Sequence, residues 1–341
     1  MKTKLRATAL TALALFICAL CFSAGAFSLP RARDAGAPSL VQKATPQQQA
    51  AQAFYHNVWT LASDNFLWQD RMADWSQWEH KFDGQLNSHA DAERAINQLL
   101  DTLNDPYTYF KDARLTSSRG QAAQAKNVVE HRMLPDDIGY IRIRTFGTVN
   151  TADELERAFK ALPKARAFVL DLRDNGGGYV SQAFRAYAVL GGKGVFTTMK
   201  GRSDGKAYLE TLEVTTAELV DTTNGNESHS ARRPDLVNGR PIVVLVNGDT
   251  ASASEMLTGA LRDSLGVKVV GTLSFGKGIA QNTWNLDGGT SVQITFAQYY
   301  FPSGVNIHKT GIKPDVEVKH SLKGDAQLDS AAQLAKDALT K

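Results

Sequence analysis

The chain has 341 residues, of which 43% are hydrophobic, 21% charged and 9% aromatic, with 27 Gly and 10 Pro. These proportions exclude a collagen-like, low-complexity or wholly disordered polypeptide. The formal net charge of +3 equals the contribution of Lys2, Lys4 and Arg6, so the remainder is neutral. Charge therefore gives no support to nucleic-acid binding or to attraction toward an anionic membrane.

Those three basic residues precede an apolar run from about Ala7 to Phe22 and the small residues Ala24-Gly25-Ala26. This is the pattern of a secretory signal peptide over residues 1–26, with an uncleaved anchor as the alternative because the run is nearly long enough to span a bilayer. Both cysteines, Cys18 and Cys21, lie within it, and neither Ile17 nor Leu20 is the small residue that lipid attachment requires. The expected product is periplasmic or secreted, with no disulfide and no stable membrane span after cleavage.

Residues 27–44 read as a disordered linker. Thr45-Pro46-Gln47-Gln48 then carries a cap, a first-turn proline and a capping box. Phe54, Val58 and Leu61, followed by Ile96, Leu99, Leu100 and Leu103, recur at helical spacing and predict a small helical domain over residues 45–112. Residues 113–137, rich in polar and small side chains, read as a connector. Ile138 to Ile143 alternates like a strand, and Thr151-Ala-Asp-Glu154 reads as a capping box opening a helix. Ala167 to Leu172, Pro241 to Val246 and Val267 to Gly271 are apolar enough for buried parallel strands, with helices to Leu190 and from Ala253 to Leu265 between them. This order predicts an α/β core over residues 138–320, and residues 321–341 read as a helical tail.

Two motifs fail their structural context. Gly271 to Lys277 satisfies most of a phosphate-binding loop, but Gly278 stands where a Ser or Thr is needed and a strand follows where a helix should. Ser274-x-x-Lys277, Ser63-Asp64-Asn65 and Lys309-Thr310-Gly311 reproduce three signatures of penicillin-binding enzymes in the wrong order. A third group has more chemistry in it. Thr250-Ala-Ser252-Ala-Ser254-Glu255 sits at a strand-to-helix turn, Phe275-Gly-Lys277-Gly278-x-x-Gln281 begins the next strand, and Asn175-Gly-Gly177-Gly178 follows another. Each has a plain explanation as a capping box, a surface charge or a turn.

Convergence at the carboxyl ends of parallel strands favours the chemical reading. A serine at a helix N-terminus lies beside unpaired N–H groups and the positive end of the helix dipole, which stabilise the oxyanion of acyl transfer. Glycines at 177 and 178 would let a second backbone N–H approach. No histidine signature competes, which leaves Lys277 as the base. Its neutral form costs about 4.6 kcal/mol at pH 7 from an unperturbed pKa near 10.4, a gap that burial between Gly276 and Gly278 could close.

These residues resemble the carboxyl-terminal processing (tail-specific) serine peptidases. The similarity includes Leu103-Asn-Asp105-Pro-Tyr107-Thr108, Gly139-Tyr140-Ile141, Leu170-Asp171-Leu172-Arg173-Asp174-Asn175-Gly-Gly-Gly178, Thr250 to Glu255, Asp263, Phe275 to Gly278 with Gln281, and Gly311-Ile-Lys-Pro314-Asp315. The resemblance implies a crotonase/ClpP-like α/β core preceded by the small helical domain. It further implies Ser252, rather than Ser254, as nucleophile, Lys277 as general base, Gln281 as its orienting group, and an oxyanion hole from the N–H of Ala253 and of Gly177 or Gly178. Asp263 reads as structural.

Most bacterial members carry a PDZ domain between the Asp-Pro-Tyr and Gly-Tyr-Ile segments. Only residues 111–137 fill that place here, below the roughly 50 residues of a domain. The expected function is an exported serine endopeptidase acting on unfolded or extended polypeptides. The alternative is a catalytically silent peptide-binding or adaptor member. Protein or peptide substrates are the implied partners, no metal or organic cofactor is implied, and homo-oligomerisation stays open.

Overall fold

The computed structural model describes residues 44–122, 126–321 and 323–340. The expected signal peptide and linker lie outside the described residues. The chain from Ala44 onward forms one compact unit. In order it comprises α1 (Pro46–Asn65), α2 (Trp75–Glu79), α3 (His89–Asp101), β1 (Tyr109–Lys111), α4 (Ala113–Ala122), β2 (Val129–Leu134), β3 (Ile138–Ile143), α5 (Thr151–Lys160), β4 (Ala167–Asp171) and α6 (Val180–Val189). There follow β5 (Gly194–Ser203), β6 (Lys206–Val214), β7 (Glu218–Thr223), β8 (Asn226–Ala231), β9 (Ile242–Val246), α7 (Ala253–Leu265), β10 (Lys268–Gly271), β11 (Ile279–Asn285), β12 (Ser291–Tyr300), β13 (Val316–Glu317) and α8 (Ala326–Asp337). Among the described residues no helix is long and apolar enough to cross a membrane.

The architecture is mixed α/β, with a helical N-terminal region. A six-stranded sheet runs β13-β10-β9-β4-β3-β2, parallel except for β2. Its central strands β4 and β9 are buried at every position because both faces are covered. Ile242, Val244 and Val246 of β9 face the main core with α5, α6 and α7, whereas Val243 and Leu245 face Leu328, Ala331 and Ala335 of α8. The C-terminal segment expected as a tail is therefore the helix that covers the second face of this sheet. Without it, a strip of valine and leucine would lie in water.

The helical region is less separate than the sequence suggests. Its last strand, β1, pairs with β12, and Val292 and Ile294 of β12 pack among Phe54, Val58, Ile96 and Leu99. The expected connector contains a helix and the edge strand β2, which pairs antiparallel with β3. Most of β2 is exposed, so it carries no apolar alternation from which a strand could be read. Glu154 is no capping-box partner either. Helix α5 begins after Asn150 without a side-chain cap, and the buried Glu154 carboxylate accepts the N–H groups of Asn127, Val128 and Val129, fastening the start of β2 to α5.

Residues 191–240, given no element by the sequence reading, build most of a second, antiparallel sheet, β1-β12-β5-β6-β7-β8, with β11 on the other edge of β12. Alternation places Tyr208, Glu210 and Leu212 on one face of β6, close to Asp221 of β7. Burial first, and then the Asp221 carboxylate, push the Glu210 carboxyl from its ordinary 4.5 up to about 7. Between those values the folded state holds a proton that the unfolded chain has released, so this group's contribution to stability falls as pH rises. We expect the Glu210→Gln variant to melt above the wild type at about pH 8 and to lose that advantage near pH 4. A difference in Tm independent of pH would overturn this.

Candidate active site

Three neighbouring parallel strands, β4, β9 and β10, end side by side, and each is followed by a turn that carries a candidate group. After β4 comes the glycine turn. Arg173 opens it, donating to the fully buried Asp171 and to Asp325 at the start of α8. Asn175, also fully buried, donates through Nδ2 to the Ile143 carbonyl at 2.9 Å and accepts the Gly177 N–H at 3.0 Å. Of the two glycines expected to serve an oxyanion hole, Gly177 is thereby engaged. Gly178 stands differently. Phe146 donates to the Gly177 carbonyl and accepts from the Tyr179 N–H, so the Gly178 N–H between them faces away from Phe146. A Cβ at Gly178 would stand 2.1 Å from the Phe146 carbonyl carbon, which leaves only glycine able to make this approach.

After β9 the chain turns through Asn247 to Ala251 into α7. Thr250 donates to the Leu172 carbonyl at 2.8 Å, Ala251 N–H to the Asn175 carbonyl at 3.0 Å, and Asn247 and Asp174 bond each other through side chain and backbone. The two turns are bolted together. Ser252 caps α7 with φ 57° and ψ −120°, a conformation disfavoured for any residue with a Cβ and held here by its surroundings. Ala253 is the first residue of α7, where a helix leaves backbone N–H groups without intrahelical partners. Tyr299, fully buried, donates its hydroxyl to the Ser252 carbonyl at 3.2 Å. Ser254 is fully buried within the core, whereas Ser252 opens onto a pocket.

The segment after β10 carries Lys277. Its half-buried side chain lies over the Tyr107 ring, 4.7 Å from Nζ to the centroid. The flanking glycines admit close walls: a Cβ at Gly276 would meet the Gly311 nitrogen at 2.8 Å, and one at Gly278 the His308 nitrogen at 2.5 Å. On β11, Gln281 follows a bulge and donates through Nε2 to Thr295 Oγ1 at 3.2 Å. Ser252, Lys277, Gln281, Gly177 and Gly178 all line one pocket of about 560 Å³. Asp263 is remote from it and accepts the Ser303 N–H. Ser274 has both hydroxyl functions committed, to Glu255 and to the Ile312 N–H. Among the described residues no group of three or more His, Cys, Asp and Glu is placed to hold a metal ion.

Glu255 is the residue whose role the sequence concealed. It accepts the Ser252 N–H at 2.9 Å, as the acid of a capping box does. The same carboxylate also accepts the Ser274 hydroxyl at 2.5 Å, the Gly276 N–H at 2.7 Å and the Lys277 N–H at 2.9 Å. It is fully buried. One anion thus ties the backbone of Ser252 to the backbone of Lys277 across two strands. The Ser-x-x-Glu spacing was visible, but the three donors from the 274–277 segment were not. Glu255→Gln keeps the shape while placing an amide N–H₂ against donors, and it is expected to cost about 3 kcal/mol or more. A urea midpoint equal to that of the wild type, at unchanged m, would show that the tie is dispensable.

The sequence profile of peptidase family S41 matches residues 137–318. The chain is 32% identical over 253 residues to a carboxy-terminal-processing protease of Bartonella bacilliformis, covering 71% of this chain and 54% of that protein. It is 34% identical over 183 residues to the chloroplastic C-terminal processing peptidase of Tetradesmus obliquus, covering 53% and 35%. The chain thus spans about half the length of these curated relatives, or less. Among solved structures, a photosystem II D1 C-terminal processing protease superposes with a TM-score of 0.59 at 21% identity, covering 85% of this chain and 98% of that one, a likeness of fold.

Proposed function

Because the chain belongs to peptidase family S41, we propose that it is an exported serine endopeptidase working through a Ser-Lys pair on unfolded or extended polypeptides. The observation that carries this reading is the opening of Ser252, Lys277, Gln281 and Gly178 onto one pocket at the ends of three parallel strands. Lys277 takes the proton of Ser252 as its oxygen attacks the scissile carbonyl, then delivers it to the leaving amine. Water activated by the same amine releases the acyl group. The N–H groups of Ala253 and Gly178 stabilise the oxyanion, with the N-terminus of α7 adding its dipole. Gln281 has its amide N–H₂ on Thr295, and its carbonyl oxygen is the acceptor that orients the lysine.

A half-buried amine beside an aromatic ring is only partly desolvated, and a bound polypeptide completes the exclusion of water. The substrate lies extended along the glycine turn, where Tyr179 is exposed beside it. The proposal of export rests on residues 1–26 alone.

Ser252→Ala and Lys277→Met are each expected to lower hydrolysis of an unfolded protein such as casein by at least about 10³-fold. A serine-directed fluorophosphonate should label the wild type and not Ser252→Ala. Casein turnover unchanged in Ser252→Ala, or labelling that persists in it, would remove Ser252 from the mechanism.

A further inference from the structure

A second cavity, of about 440 Å³, lies against the candidate active site and shares Gly178, Tyr179, Val180, Ala280 and Gln281 with its pocket. Its floor is one face of the antiparallel sheet. The register sets Met199 of β5 opposite Glu210 of β6, and Asp221 of β7 opposite Leu212. Phe184 of α6 and Phe296 of β12 add apolar wall, and the exposed Arg185 stands at the rim. His229, also on the lining, contacts the carboxylates of Glu218 and Glu227 through its two ring nitrogens.

In this mixed polar and apolar cavity the half-buried Glu210 has its Oε2 shielded from solvent and without a hydrogen-bond donor among the described residues, and the Tyr208 hydroxyl and the Asp221 carboxyl are the polar neighbours of that carboxyl. Buried acceptors in native proteins are satisfied, so a site that leaves a carboxylate oxygen without a donor, inside a cavity large enough for a side chain, calls for a donor from outside. Aromatic and aliphatic walls leading to two carboxyl groups suit a long apolar stem with a cationic head.

We propose that this cavity is the subsite for the residue whose carbonyl is attacked, and that it selects lysine or arginine through Glu210 and Asp221. The proposal rests on the peptidase reading for its position. A carbonyl oxygen received by the Gly178 N–H, with its carbon facing Ser252, has its own Cα beside residues 178–180, and its side chain enters the second cavity. The guanidinium or ammonium then supplies the countercharge that two adjacent carboxyl groups lack.

The test uses heptapeptides in which alanines flank one central residue: arginine, lysine, norleucine or glutamate. Binding to the full chain carrying Ser252→Ala is read by fluorescence anisotropy, and hydrolysis is read with the active serine present. Arginine and lysine peptides should bind at least tenfold more tightly than the norleucine peptide, and adding Glu210→Gln or Asp221→Asn should reduce that ratio to threefold or less. Equal binding, a preference for norleucine, or a cationic preference that survives both substitutions would overturn the proposal. A preference for glutamate would also overturn it and assign the rim to Arg185. If the binding ratio behaves as expected while no peptide or casein is hydrolysed, the cationic site stands and the peptidase reading falls.

Discussion

Ser252 and Lys277 belong to segments that follow different strands, and one buried carboxylate fixes both. Glu255 places its four hydrogen bonds on three backbone N–H groups and on the Ser274 hydroxyl. Anchoring through the backbone fixes where the Ser252 and Lys277 side chains begin. A buried anion this well solvated by donors is stable, and the same arrangement becomes costly once a donor or the acceptor is removed. The positive φ of Ser252 persists for the same reason, since the turn is over-determined by Glu255 on one side and by Asn175 and Leu172 carbonyls on the other.

The parallel sheet makes that convergence a matter of topology. Strands β4, β9 and β10 are neighbours, so their carboxyl ends deliver the glycine turn, the serine turn and the lysine segment to one place. The glycine turn can come close only because Gly178 has no Cβ to meet Phe146. The antiparallel sheet gives the site its other wall: β11 supplies Gln281, β12 supplies Tyr299, and the face of β6 and β7 extends the cleft into the acidic cavity. Ser252 and Lys277 thus follow strands of the parallel sheet, the acidic cavity lies on the antiparallel one, and residues 178–180 line both pockets.

Ser252-x-x-Glu255 and Thr151-x-x-Glu154 have the same spacing, yet only the first glutamate reaches back to its own helix start; the second holds residues 127–129 of another element. Local pattern records what a side chain could do with its neighbours in sequence, and tertiary partners compete for the same oxygen. β2 carries no strand signal because an exposed edge strand needs no apolar alternation, and the covering role of α8 leaves little trace in sequence because its apolar buried face is only Leu328, Ala331 and Ala335.

By itself the sequence determined the buried strands, the start of α1, the span of α7 and the candidate chemistry, because apolar runs, caps and a serine before a helix are local in origin. The two-sheet architecture, the commitment of the Gly177 N–H to Asn175, the four donors on Glu255 and the cavity over Glu210 were decided only by the tertiary structure. Each depends on atoms that the fold brings together from distant segments, and a backbone N–H carries no mark in the sequence of the partner it will find.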